Sequence, residues 1–159
     1  MLTNITDYLK NNGWVYSEKS KHNLIFSING NNGIYHCAVD YSETESLFAF
    51  ITYMGIRCPS DKTIEILELI NSINTTLLYS NFEMSKSGHI KCRTCICFED
   101  ITLTEKVIDN IILRNINNID VAAPFFTKYM FGNISQQEVV KALFPFLEAP
   151  ASETQEISE

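Results

Sequence analysis

The run HIKCRTCIC places His89, Cys92, Cys95 and Cys97 within nine residues of one another. Thiolates and imidazoles are the ligands that zinc takes four at a time in a tetrahedron, and closely spaced thiols also carry redox chemistry. The surrounding pattern works against a chelate. Along a strand Cys95 and Cys97 share one face while Cys92 points to the other, whereas a chelating CxxC curls both sulfurs inward on a turn. There is no second CxxC knuckle, and the remaining thiols, Cys37 and Cys58, are distant in sequence. A thioredoxin-type pair would sit at a helix N-terminus, where the dipole lowers the thiol pKa. The plainer expectation is of small apolar strand residues, since free cysteine is among the most often buried types. No metal and no cofactor are therefore expected. A metal-binding or redox role for His89, Cys92, Cys95 and Cys97 stands as the alternative.

Other chemistry is sparser. His22, His36 and His89 fall on separate strand segments, and Cys37, next to His36, faces the opposite side of its strand, which argues against a nucleophile and base pair. The sequence holds no Gly-x-Ser-x-Gly elbow and no phosphate-cradling glycine loop. Glu43 with Glu45, and Glu99 with Asp100, are carboxylate pairs at strand ends, where solvated turns account for them. Catalytic residues are not expected. What the chain has in surplus is aromatic and apolar side chains near its C-terminal end: Phe125, Phe126, Tyr129, Met130 and Phe131 exceed what one helical face needs. Exposed apolar groups mark partner or dimer surfaces. Phe125, Phe126, Tyr129 and Met130, with Trp14 and Tyr16 at the edge of the first strand, are the candidate partner-binding residues.

These groups must be held by an α+β scaffold. Residues 59–78 read as a long helix whose core face carries Ile66, Ile70, Ile73 and Leu77, widened by Leu67, Leu69 and Leu78. Ser60 is placed to cap it, Asp61 suits its positive end, and Pro59 discourages an earlier start. This helix is expected to be the bar against which a sheet packs. Before it come a short helix over Asn4 to Asn12, capped by Thr3 or Asn4 and ended by Gly13, and then three extended pieces. The first runs from Trp14 through Ile28, the second covers Ile34 to Tyr41 and the third Leu47 to Tyr53, with Asn29-Gly30-Asn31-Asn32-Gly33 as a turn. The strand at Ile34 to Tyr41 is a candidate to accept an added strand from a client. After the long helix, Asn81 to Ser85 and His89 to Phe98 form a hairpin about Gly88. Thr102 and Glu105 have capping-box spacing for a second core helix to about Asn115. Pro124 suits the first turn of a separate helix bearing the aromatic run. Ser135 and Glu138 open a last short helix, which Pro145 stops.

At 159 residues the chain fits one domain, residues 1–145, followed by an acidic tail, 146–159, expected to be disordered. The net charge of −7, from 19 acidic and 12 basic residues, leaves no basic stripe for nucleic acid. No stretch has the roughly 18 consecutive apolar residues of a membrane span, and the N-terminus lacks a secretory signal pattern. Five cysteines in such a chain suit a reducing cytoplasm.

The order of helix, three-stranded meander, long helix, two-stranded hairpin and helix resembles the YbjN family, whose fold is that of the type III secretion chaperones. The resemblance is carried by the meander of Ile34 to Tyr53, Pro59-Ser60 and Ile73-Asn74 at the two ends of the long helix, Phe82-Glu83-Met84, and the Gly88 turn. It covers roughly Leu2 to Phe131. It implies an antiparallel sheet with helices on one face, and a non-enzymatic adaptor or homodimer that holds a protein segment, with no catalytic residues to carry over.

Overall fold

Helix α1 (Leu2–Asn11) buries Ile5, Tyr8 and Leu9 as one face and ends at Gly13, whose φ of +72° is open to glycine at little strain. The computed structural model describes residues 2–20, 22–42, 44–99 and 102–145. The side-chain cap expected at Thr3 or Asn4, the carboxylates of Glu43 and Asp100, and the acidic tail lie outside the described residues.

Six strands follow α1: β1 (Tyr16–Ser20), β2 (Asn23–Asn29), β3 (Ile34–Ser42), β4 (Leu47–Arg57), β5 (Asn81–Met84) and β6 (His89–Cys97). They form one antiparallel sheet in the order β1-β2-β3-β4-β6-β5. The extended piece expected from Trp14 through Ile28 is in fact two strands, β1 and β2, paired antiparallel with Tyr16 opposite Phe26. The meander thus has four strands. Its third, β3, pairs on both sides, so the segment Ile34 to Tyr41 has no free edge for an added strand.

Register sorts the side chains cleanly. Phe26, Cys37, Thr52, Cys92 and Phe82 align in one row across five strands, and Leu24, Val39, Phe50 and Thr94 in the next. All nine are buried beneath the helices, which supply Ile5, Leu9, Ile66, Leu69, Ile108, Ile112, Ile119 and Phe126 to the same core. The opposite face carries Ile25, Ala38, Ile51 and Arg93 in one row and Ser27, His36, Tyr53 and Lys91 in another.

The bar across the sheet is not the helix expected there. Helix α2 (Thr63–Asn74) lies beside β5, and it is α3 (Glu105–Phe131) that crosses β4 and β6. On α2 the buried stripe is Ile66, Leu69, Ile70 and Ile73; Leu67 and Leu78 are exposed, and Leu77 lies past the helix end. Nor does the Ser60 side chain cap α2. Residues Ser60–Lys62 form a 3-10 turn, with Lys62 N–H donating to the Pro59 carbonyl at 3.0 Å. The cap of α3 is Thr104 rather than Thr102, its hydroxyl accepting from the Val107 N–H.

Helix α3 is continuous for 27 residues through Pro124, where two helices were expected. A proline inside a helix cannot donate to the carbonyl four residues back. Here that carbonyl belongs to Asp120, and the Asn32 side-chain amide donates to it at 2.9 Å instead. The lost bond is thereby replaced from the β2–β3 turn. Helix α4 (Gln136–Leu143) opens with the expected Ser135 and Glu138 capping box. No helix among the described residues is long and apolar enough to cross a membrane.

Candidate polypeptide-binding site

Every sheet has two edges, and edges are where backbone groups lack partners. The outer edge of β1 carries Glu18 and Lys19 and a register irregularity between Glu18 and Ser20, which are common means of blunting a strand against unwanted pairing. The outer edge of β5 is closed differently. Asn74, at the end of α2, accepts from the Phe82 N–H at 2.7 Å and donates to the Phe82 carbonyl at 2.9 Å, so one side chain occupies both outward groups of that residue.

A third stretch of edge arises because the arms of the last hairpin are unequal. Strand β5 begins at Asn81, opposite Arg93, while β6 runs on to Cys97. The N–H of Phe98 donates to the Ser46 carbonyl, and that of Ser85 to the His89 carbonyl. In an antiparallel ladder the bonding direction alternates residue by residue. Even-numbered residues of β6 therefore bond toward β4, and odd-numbered ones toward β5. Cys95 and Cys97 point their N–H and C=O groups to the side where β5 has already ended. Among the described residues no hydrogen bond reaches those groups.

Beside this edge lies a cleft of about 300 Å³ between β6 and α3, lined by Tyr79, Ile96, Val107, Asn110, Ile111 and Arg114. Tyr79 is 67% exposed, and the Arg114 guanidinium sits 5.2 Å from its ring centroid, a cation–π contact that stiffens both side chains over the cleft. Leu78 and Leu113 are exposed close by in sequence. The combination is one row of unpaired backbone groups and one apolar slot on its helix side. That is the geometry in which an added strand gains hydrogen bonds from the edge and selectivity from alternate side chains.

The cysteines that looked like metal ligands fall on both faces of β6. Cys92 is buried in the core, where loss of hydration pushes its thiol up to about 12, and Cys95 and Cys97 are exposed on the outer face. Burial likewise pushes the Cys37 thiol up to about 12. Among the described residues no three His, Cys, Asp or Glu side chains come together as a metal-holding group. His89 remains at the start of β6, opposite Arg57.

The aromatic candidates divide. Phe126 is fully buried against Phe82, at a ring separation of 5.5 Å, and Met130 is buried with it. Phe125 and Tyr129 are half-buried and Phe131 is 62% exposed. Trp14 stacks on Phe26 at 5.4 Å and meets Tyr8 edge-on, while Tyr16 is half-buried. Tyr8 in turn donates to Asp109 on α3 at 2.7 Å. Twenty residues of helix, about 30 Å, separate that point from Tyr129. Trp14 and Tyr16 therefore form one patch, and Phe125 and Tyr129 another. Sequence reasoning missed the β6 edge itself, because the unequal arms of the hairpin expose an edge only once strand order is known.

The six-stranded antiparallel sheet with four helices that the described residues form is an α+β fold of the type III secretion chaperone-like kind. The chain belongs to the YbjN family, whose model, described as "Putative bacterial sensory transduction regulator", matches residues 2–116. Two of the solved structures similar to it are the following. "Crystal structure of YbjN, a putative transcription regulator from E. coli" is 10% identical with a TM-score of 0.55, over 74% of this chain and 84% of that one. "Structure of the HopA1-SchA Chaperone-Effector Complex" is 13% identical with a TM-score of 0.52, over 73% and 86%. No curated protein matches the chain.

Proposed function

We propose that this chain is a non-catalytic, cytoplasmic interaction module that holds an extended polypeptide segment along the β6 edge at Cys95 to Cys97 and in the cleft beneath it. The observation that carries the reading is the pair of outward-facing, unpartnered backbone residues beside an apolar slot. Membership in a family described as regulatory supports a binding role, as does the likeness in fold to a chaperone–effector complex. The net charge of −7 disfavours nucleic acid as the partner. Phe125 and Tyr129, and separately Trp14 and Tyr16, are proposed as flanking contacts for a protein partner or a second copy.

The test is fluorescence anisotropy with a labelled octapeptide alternating valine and threonine, together with versions N-methylated at alternate positions. Strand addition uses the edge-facing amides and ignores the rest. Methylation of one alternate set should weaken binding at least tenfold and of the other set hardly at all. Equal loss from both sets, or no binding of the parent peptide, contradicts the reading.

A further inference from the structure

The cleft beside the open edge has two unlike ends. Asn115 of α3 donates to the Thr94 hydroxyl at 2.9 Å, which sets the neighbouring Arg114 beside Thr94, with its guanidinium over the Tyr79 ring. Val107, seven residues earlier, lies about 10 Å further along the helix axis. Because α3 turns back over β6, that direction runs toward Ile96, and Ile96, Val107 and Ile111 make the apolar end. Arg114 is the one charged residue among the described residues that line the cleft, and it takes part in none of the ion pairs formed among them. A guanidinium lying over a ring still presents N–H groups at its edge, and two of them in parallel match the oxygens of a carboxylate.

An added strand shares its two faces with β6. The residue set opposite Ile96 therefore enters the apolar end, and the next one on that face, about 7 Å along the strand, reaches toward Thr94 and Arg114. Resting on the reading of this edge as strand-accepting, we propose that the site selects an acidic client, an extended segment in which an apolar residue and a Glu or Asp stand two positions apart. The apolar side chain fills the slot at Ile96 and Val107, and the carboxylate pairs with Arg114. Arg114 is thus the specificity-determining residue, and Tyr79 positions it.

The charge of the whole chain works in the opposite sense. At −7 its general field repels an acidic segment and attracts a basic one. A preference for the carboxylate must therefore come from the local contact, where distance favours the pair.

The experiment uses the valine–threonine octapeptide with its third valine replaced by glutamate, glutamine or lysine, so that a valine stands two residues away whichever way the strand runs. Anisotropy is measured on the wild-type chain, Arg114→Met and Arg114→Glu, with circular dichroism as the control for folding; Arg114 is exposed. The readout is the ratio of affinities between peptides on one protein, which a general loss of binding leaves unchanged. The wild type should bind the glutamate peptide at least fivefold more tightly than the glutamine one, with lysine weakest. Arg114→Met should bind glutamate no better than glutamine, and Arg114→Glu should favour lysine. Equal binding of all three by the wild type, lysine as its strongest ligand, or a glutamate preference that survives Arg114→Met overturns the proposal. Where the parent octapeptide still binds with alternate N-methyl sensitivity, the edge reading stands and only the acidic selectivity is lost. Where the parent also fails to bind, both fall.

Discussion

The Tyr35 hydroxyl donates to Asp120 Oδ1 at 2.8 Å, tying the centre of the sheet to the middle of α3. The same carboxylate accepts from the N–H groups of Asn31 and Asn32 at 2.9 and 2.8 Å. Gly30 is needed beside it, because a Cβ there would lie 2.5 Å from Asp120 Oδ1. Burial alone would raise the pKa of this carboxyl, but the donors from Asn32, Tyr35 and Asn31 outweigh it and hold the group below the usual carboxylate range.

A depressed pKa in the folded state means that Asp120 stabilises the fold above its unfolded value, about 3.9, and that this contribution is lost as pH falls through the folded value. Asp120→Asn should lower stability at pH 7 by about 1 to 3 kcal/mol in urea melts, since donors are left without an ionised acceptor. The gap between wild type and variant should narrow as pH falls below about 4, where the unfolded carboxyl takes up a proton that the native one still resists. A gap that widens on acidification contradicts the assignment.

Asn115 is a second tie between α3 and the sheet, this one wholly buried. It accepts the Thr52 hydroxyl at 2.6 Å and donates to the Thr94 hydroxyl at 2.9 Å and the Cys92 carbonyl at 3.2 Å. Thr94 is bonded onward to Ser80, which accepts from Asn118. Removing one member of such a network strands the others, so Asn115→Ala and Thr52→Val should be non-additive. The double variant should lose at least about 1 kcal/mol less than the sum of the singles, read from a double-mutant cycle in denaturant.

Phe126 and Phe131 make a contrast within one aromatic run. Phe126→Ala opens a cavity in the core and should cost about 3 to 5 kcal/mol. Phe131→Ser, at a mostly exposed site, should stay within about 0.5 kcal/mol. Thermal melts of the two variants separate core packing from surface contact. Comparable losses would mean that Phe131 is held as firmly as Phe126.

Much of the scaffold was legible because local signals agreed with it. The extended pieces marked β2, β3 and β4, the Asn-Gly run marked the turn between β2 and β3, and Ser135 with Glu138 marked α4. The misreadings share a cause in contacts between residues far apart in the chain. Pro124 reads as a helix start until Asn32 is known to supply the donor that the proline lacks. Leu67 and Leu78 read as core until α2 is seen at the side of the sheet, where only its Ile66, Leu69, Ile70 and Ile73 face is covered. The candidate site was the least visible part. Cys95 and Cys97 attracted attention through their sulfur atoms, yet the feature that distinguishes them is the direction of their backbone groups. That direction follows from the unequal arms of the last hairpin, which the sequence shows, and from the strand order, which it does not.

The most direct measurement uses that backbone direction. In Cys95→Pro the residue loses an N–H that no ladder bond to β4 requires, and proline is tolerated at strand edges for that reason. In Ile96→Pro the missing N–H is one that bonds β4, so the sheet itself is damaged. Circular dichroism and peptide anisotropy on both variants form the test. The account predicts that Cys95→Pro keeps the wild-type spectrum and loses at least tenfold in affinity for the valine–threonine octapeptide, while Ile96→Pro melts at lower temperature. A folded Cys95→Pro protein that binds the peptide as well as the wild type would contradict it.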